Sequence, residues 1–258
     1  MLHASVRAVG KIAGGPDVIH LALGDALGND GTLLMYAGCP AHVDEVGRGG
    51  LSAAEEAEIL EKLPPFDAET ARSARDHGVL VEFFRTSPGT IVNRHPARFA
   101  ARGGNATRLF ATQPWDLAFG DGSALERLVE IDGRILLLGS DRDAVTFLHY
   151  VEHVAELPGR RIARFRVPVL EDGERVWRDM TEVDTSSKGA HPNWPDRFFA
   201  KIVDGFLRES DNRGGAVGDT IAFLIPVRPF LDFSRTVMER TAADALAAQD
   251  LFEGIGID

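Results

Sequence analysis

The stretch SALERLVEIDGRILLLGS, residues 123–140, constrains the fold of this chain more than any other. It opens on a Ser-x-x-Glu capping box, and the leucines that follow recur at helical spacing. Asp132-Gly133 then predicts a turn, and the apolar run Ile135–Leu138 predicts a buried strand. A second helix follows, for which Asp141 or Asp143 is the predicted N-cap. This stretch therefore predicts a helix, a strand inside a sheet and a further helix.

The rest of the chain continues the alternation of helices and strands. A helical pattern covers Ala53–Lys62, and alternating apolar and polar residues around Asp172-Gly173 predict a β-hairpin. Near the C-terminus, Ser234 is the predicted cap of a last helix. The fold class we predict is α/β, in the mixed α+β sense: a mixed β-sheet covered by helices, with an added β-hairpin. Since no linker divides the chain, we expect a single domain over residues 1–258.

The charge balance narrows the classes of partner. The 258 residues carry a formal net charge of -11, which argues against nucleic acid and would attract a polycationic small molecule. The single cysteine, Cys39, excludes an internal disulfide and a multi-cysteine zinc site. Without a signal-peptide pattern or an apolar run long enough to span a bilayer, the chain is predicted to be soluble and cytoplasmic, with no membrane partner.

The stretch TFLHYVEH, residues 146–153, carries the most suggestive polar pattern. His149, Glu152 and His153 form the pattern H-x-x-E-H, which occurs in zinc metalloproteases. Three interpretations stay open from these residues: a zinc site, a solvent-facing helix with incidental histidines, or a catalytic histidine without metal. The third requires an orienting carboxylate. The candidates follow the hairpin and are Asp179, Glu182 and Asp184.

Segments along nearly the whole chain resemble the aminoglycoside 3-N-acetyltransferase family, whose fold is distinct from the GNAT acetyltransferase fold. The similar segments are LHASVRAVG, GNDGTLLMYAG, PPFDAETA, RHPARFAARG, AFGDGSALERLVEIDGRILLLG, TFLHYVEHVAELPGRR and EVDTSSKG. The most specific are RILLLG followed by T-x-L-H-x-x-E, and the later acidic EVD. Relatives usually carry a helix before the HAS segment, so the resemblance is consistent with a chain that lacks this N-terminal helix.

The resemblance implies acetyl transfer from acetyl-CoA to the 3-amino group of a 2-deoxystreptamine aminoglycoside, with antibiotic resistance as the consequence. It implies acetyl-CoA as cosubstrate, no metal, and an oligomeric state that stays open. His149 is the implied general base, Asp184 orients it, and Thr146 lines the same site. Backbone N–H groups around Ala4 and Ser5, or the Thr146 hydroxyl, are the expected donors to the oxyanion.

The resemblance also implies two sets of binding residues. The residues implied to lie along acetyl-CoA are His3, Ala4, Ser5, Arg7 and Asn93. The carboxylates implied to contact the aminoglycoside are Asp67, Asp116 and Glu182.

Three alternative functions stay open. An N-acetyltransferase of a non-antibiotic amine would share the same residues. A zinc hydrolase would use His149, Glu152 and His153. A binding-only homologue would sequester drug or CoA without turnover. His153 stands where relatives often have a small residue, which argues against zinc.

Overall fold

The computed structural model describes residues 1–39, 46–47, 50–184 and 189–244. Four residues of the EVDTSSKG segment, 185–188, and the chain after residue 244 lie outside the described residues. In the described part the helices are α1 (Val6–Val9), α2 (Asp17–Leu27), α3 (Ala53–Lys62), α4 (Val79–Thr86), α5 (Ala106–Leu109), α6 (Ala124–Glu130), α7 (Phe147–Val154), α8 (Phe198–Glu209) and α9 (Val227–Ala243). The strands are β1 (Leu2–Ala4), β2 (Thr32–Tyr36), β3 (Ile91–Val92), β4 (Phe99–Gly103), β5 (Arg134–Leu138), β6 (Ile162–Glu171), β7 (Glu174–Val183), β8 (Gly215–Val217) and β9 (Thr220–Pro226).

The predicted mixed sheet is confirmed and has β5 in its interior. Its strand order is β1-β5-β9-β8, with β1 parallel and β9 antiparallel to β5. Because side chains alternate across a strand, Ile135 and Leu137 face the core built from α6 to α9. Leu136 and Leu138 face a second core, shared with α2 and α4. Burial on both faces explains why β5 is an uninterrupted apolar run.

Two smaller β-structures flank this sheet. Strands β2, β4 and β3 form an antiparallel sheet, and β6 pairs with β7 over their whole lengths. Asp172 and Gly173 join that hairpin with φ values of 51° and 85°, both in the left-handed region. Two left-handed residues in succession are typical of a type I′ turn, which matches the twist of paired strands. The predicted hairpin is confirmed.

The helix that carries His149 begins later than predicted. A 3₁₀ turn covers Arg142–Ala144, capped by Asp141. The extended Val145 separates this turn from α7. Asp143 does not cap α7, because its carboxylate accepts the N–H of Ala200 in the first turn of α8, at 3.0 Å. The carboxylate near the start of α7 is therefore used by a helix that lies far away in the sequence.

The prediction that Ser234 caps the last helix is wrong. Helix α9 begins at Val227, directly after Pro226 ends β9, and Ser234 lies in its interior. Pro229 falls in the first turn, where a proline costs little because the N–H groups there have no helical partner. Among the described helices, none combines the length and the apolar character needed to cross a bilayer.

Candidate active site

His149 forms a short hydrogen bond with Glu152, one turn further along α7. Its Nδ1 atom lies 2.7 Å from Oε2 of Glu152. Residues three apart share a helix face, so the local sequence is sufficient to bring them together. An ionised carboxylate only accepts, so Nδ1–H donates to it and the Nε2 lone pair is left available. The Glu152 side chain is 2% exposed, whereas that of His149 is 23% exposed.

Two aromatic rings hold the His149 imidazole from different sides. Phe119 stacks on it with ring centroids 5.1 Å apart and an interplanar angle of 29°. Phe199, in the first turn of α8, lies 5.0 Å away at 60°. The imidazole is thus fixed both in the plane of its hydrogen bond and across its faces.

His153, the last residue of the H-x-x-E-H pattern, is a half-buried histidine that is neutral at physiological pH. Burial lowers its pKa to about 4, against the weaker opposite effect of the nearby Glu182 charge. Its Nε2 atom is buried and has no hydrogen-bond partner among the described residues. In the part of the chain that the structure describes, no group of three or more His, Cys, Asp or Glu side chains is placed to hold a metal ion.

Two predicted carboxylates lie at the end of β7, and the charge of one of them, Glu182, acts on His153 in α7. Glu182 is fully buried, and Asp184 is 5% exposed. The Asp184 N–H donates to the Arg161 carbonyl at 3.0 Å. That Asp184 orients His149 stays a prediction. The orienting hydrogen bond described above comes from Glu152.

A cavity of about 720 Å³ collects the predicted residues of the N-terminal segment. Its walls include His3, Ala4, Ser5, Arg7 and Thr146, together with Tyr36 and His77. Thr146 places the cavity one helical turn from His149. Tyr36 also connects the cavity with the histidine, because its ring lies 5.7 Å from that of Phe119, which stacks on His149.

Two groups in this cavity have specific electrostatic properties. Burial lowers the pKa of His3 to about 3, so its imidazole is neutral at physiological pH. The Ser5 N–H donates to the Leu138 carbonyl at 2.9 Å. The expectation that the Ser5 N–H serves an oxyanion is therefore wrong, because the pairing of β1 with β5 uses this donor. The Thr146 hydroxyl stays a candidate.

The remaining predicted residues lie away from this cavity. Asn93 lines a separate cavity of about 530 Å³. Asp67 closes a local turn, where hydrogen bonds from the Thr70 hydroxyl and the Glu69 N–H lower its pKa. Asp116 is exposed, and its carbonyl accepts the Thr181 N–H at 2.9 Å. Their roles in binding CoA or drug stay predictions.

The structure adds residues that the sequence interpretation missed. The His149–Glu152 spacing of three is visible as a helix-face signal, but the pattern alone leaves a zinc site, a solvent-facing helix and a metal-free catalytic histidine open. Phe119, Phe199, Tyr36 and His77 carried no such signal, because each reaches the site from a different element.

Comparisons with known proteins identify the family of the chain. The model of the family described as aminoglycoside 3-N-acetyltransferase matches residues 1–239. Aminoglycoside N(3)-acetyltransferase III of Pseudomonas aeruginosa is 38% identical over 249 residues, 95% of this chain and 88% of the relative. Aminoglycoside N(3)-acetyltransferase VII of Streptomyces paromomycinus is 36% identical, over 93% of this chain and 84% of the relative.

Solved structures show the same similarity in three dimensions. AAC-IIIb in its binary complex with CoASH matches with a TM-score of 0.84 at 38% identity, over 93% of this chain and 88% of that one. Sisomicin-bound AAC-VIa, in a room-temperature neutron/X-ray structure, matches with a TM-score of 0.82 at 33% identity, over 93% of this chain and 90% of that one. The predicted family resemblance and fold class are confirmed.

Proposed function

Because the chain belongs to the aminoglycoside 3-N-acetyltransferase family, we propose that it transfers the acetyl group of acetyl-CoA to the 3-amino group of a 2-deoxystreptamine aminoglycoside, with His149 as the base. Family membership supports the reaction and the cosubstrate. The assignment of His149 as the base is supported by its 2.7 Å hydrogen bond with Glu152. His149 also lies one helical turn from Thr146, which lines the large cavity.

The chemistry begins with a proton, since an ammonium has no lone pair with which to attack. His149 Nε2 accepts the proton of the 3-ammonium group, and Glu152 stabilises the imidazolium that forms. The free amine attacks the thioester carbonyl carbon, forming the N–C bond. The C–S bond then breaks, and the departing CoA sulfur takes up the proton from His149. The nitrogen, which became positively charged on attack, releases its second proton to the vacated Nε2 and from there to solvent. No further oxidant, reductant or metal is required for this balance.

The oxyanion that forms during attack needs a hydrogen-bond donor. We assign this role to the Thr146 hydroxyl, which lines the cavity one turn before the base. Donors of this kind stabilise charge that is present only in the transition state. Thr146 therefore belongs to the catalytic group with His149, as the sequence predicts.

Acidic groups account for recognition of a polycationic drug. Glu182 and Asp184 lie at the end of β7, the Glu182 charge acts on His153 in α7, and the chain carries a formal net charge of -11. Such a field concentrates a cationic substrate near the site. Acetylation removes one positive charge from the drug, which is the proposed basis of resistance. A cytoplasmic location accords with the use of acetyl-CoA, and cell fractionation tests it.

The test is thiol release from acetyl-CoA against a panel of aminoglycosides and simple amines, with the acetylated position identified by NMR. We expect turnover with 2-deoxystreptamine drugs and acetylation at the 3-amino group. In His149→Ala, kcat is expected to fall by roughly 10²–10⁴-fold, the typical contribution of a positioned base.

Drug affinity provides the control for this variant. The dissociation constant of the drug, measured by calorimetry, should change by less than about tenfold, because the carboxylates remain. Near wild-type turnover in His149→Ala would show that another group removes the proton.

A further inference from the structure

A line of three hydrogen bonds runs from β4 into the loop over residues 113–119. The Phe99 N–H donates to Asn93 Oδ1 at 2.8 Å, and Asn93 Nδ2 donates to Gln113 Oε1 at 3.1 Å. Gln113 Nε2 then donates to the Leu117 carbonyl at 2.9 Å. Asn93 is 5% exposed, and the line runs along the wall of the cavity of about 530 Å³ that Asn93 and Gln113 line.

The direction of this line is fixed by its two ends. A backbone N–H can only donate, and a backbone carbonyl can only accept. Each amide between them must therefore accept with its oxygen and donate with its nitrogen, in one orientation. A carboxylate at residue 93 or residue 113 would lose the donated bond and leave two acceptors facing each other.

His95 forms a second line beside the first. The Ala97 N–H donates to its Nδ1 at 3.1 Å, so Nε2 carries the proton and donates to the Trp115 carbonyl at 3.3 Å. This histidine is 1% exposed. The Asp116 carbonyl, which lies between those of Trp115 and Leu117 along the chain, accepts the Thr181 N–H from β7.

Three consecutive carbonyls of the loop are thus each bound: that of residue 115 by His95, that of residue 116 by Thr181 of β7, and that of residue 117 by Gln113 at the start of the same loop. Phe119 follows two residues later and stacks on His149 at 5.1 Å. The same ring lies 5.7 Å from Tyr36, on the wall of the large cavity. Movement of the loop would therefore move the aromatic face against which the imidazole rests.

We propose that Asn93, His95 and Gln113 are positioning residues, which hold the 113–119 loop so that Phe119 keeps the His149 imidazole aligned for proton transfer. This inference depends on the proposed function, in which His149 is the base. It replaces direct CoA contact as the role of Asn93, since both ends of that side chain are bound within the protein.

Asn93→Asp tests the proposal, with Asn212→Asp as the matched control. Asn212 makes an equivalent bridge on the β8–β9 side, accepting the Gly214 N–H at 3.1 Å and donating to the Leu224 carbonyl at 3.0 Å. In Asn93→Asp we expect kcat to fall about tenfold or more, because small misplacements at a reacting centre have large kinetic effects. The KM for acetyl-CoA should stay within about twofold of wild type, and Asn212→Asp should keep the wild-type kcat.

A second measurement does not depend on turnover. In protein labelled at histidine, the His149 ring protons are assigned by their loss in His149→Asn. The ring current of the stacked Phe119 should shift the His149 resonances away from those of an unstacked histidine. Asn93→Asp should reduce that shift. If Asn93→Asp does not fold, Gln113→Glu takes its place, since it keeps the bond from Asn93 and loses the one to Leu117.

The possible results distinguish failure of the positioning role from failure of the proposed function. A variant with wild-type kcat and an unchanged His149 resonance would overturn the positioning role. So would a raised KM for acetyl-CoA at unchanged kcat, which would point to direct contact with CoA. Absence of acetyl transfer in the wild-type protein would instead refute the proposed function, while the resonance shift would still test how the loop positions the ring.

Discussion

At the scale of single residues, the choice of carboxylate partner decides how His149 works. Family resemblance predicts Asp184, and helical spacing places Glu152 on the same face as the histidine. The structure gives Glu152 the 2.7 Å contact and buries its side chain to 2% exposure. A buried carboxylate is costly unless it is hydrogen-bonded, so Glu152 and the imidazole stabilise each other.

We expect Glu152→Gln to reduce kcat by roughly 10–100-fold, the range typical of changes to the hydrogen-bonded partner behind a metal-binding histidine. The amide oxygen can still accept from Nδ1–H, so the ring stays oriented, but the charge that stabilises the imidazolium is gone. Steady-state kinetics with saturating drug and acetyl-CoA would measure the change.

Asp184→Asn is the matched comparison, since it removes one charge from the neighbouring carboxylate. If Asp184 mainly binds drug, this variant should raise the KM for the aminoglycoside more than it lowers kcat. A larger loss of kcat in Asp184→Asn than in Glu152→Gln would return the orienting role to Asp184.

At the scale of elements, local signals predicted several segments well. Helix α3 covers Ala53–Lys62 as predicted, and its capping box with Ser52 and Glu55 is complete. Strand β5 and the hairpin turn are likewise where the pattern places them. These segments were predictable because their stabilising contacts lie within a few residues along the chain.

The termini of α7 and α9 were not predictable from such signals. Asp143 caps α8 instead of α7, since packing brings the N-terminus of α8 against it. Helix α9 begins seven residues before Ser234, at Val227, where β9 ends. A capping side chain in the sequence does not specify which helix it caps when a tertiary neighbour competes for it.

The interior position of Ser234 has a measurable consequence. Its hydroxyl is buried and has no hydrogen-bond partner among the described residues. Removing an unpaired buried hydroxyl avoids a desolvation penalty, so Ser234→Ala should leave the free energy of unfolding unchanged or raise it by up to about 1 kcal/mol. Urea denaturation would measure this, whereas loss of an N-cap would lower stability by about 1 kcal/mol.

Ser210→Ala is the control for that measurement. The Ser210 hydroxyl donates to the Phe206 carbonyl at 2.6 Å, near the end of α8. The same substitution there removes a formed hydrogen bond and should lower stability by about 1 kcal/mol. Equal losses in both variants would show that the Ser234 hydroxyl is paired in solution.

At the scale of the whole molecule, two partly buried histidines couple stability to pH. Burial lowers the pKa of His153 to about 4 in the folded protein, from its ordinary value of 6.5. His3 shifts in the same direction. The unfolded chain therefore binds protons first as the pH falls, so stability contributed by these residues is present above about pH 6.5 and is lost between about pH 6.5 and pH 4.

We expect acidification from about pH 7 to about pH 5 to lower the free energy of unfolding by on the order of 2 kcal/mol through His153 alone. In His153→Asn this part of the pH dependence should disappear, as measured by urea denaturation at both values. Comparison of the two proteins near pH 8 isolates the packing effect of the substitution. An identical pH dependence in both proteins would mean that His153 can be protonated in the folded state.

The sequence by itself determined the class of fold, the elements with short-range signals, the family and the identity of the catalytic histidine as a candidate. Only the tertiary structure decided which aromatic rings hold that histidine, which helix Asp143 caps and which groups Asn93 joins. The physical reason is range: turns, caps and apolar periodicity depend on neighbours along the chain. Burial and hydrogen-bond partners depend on segments that meet only after the sheets and helices have packed.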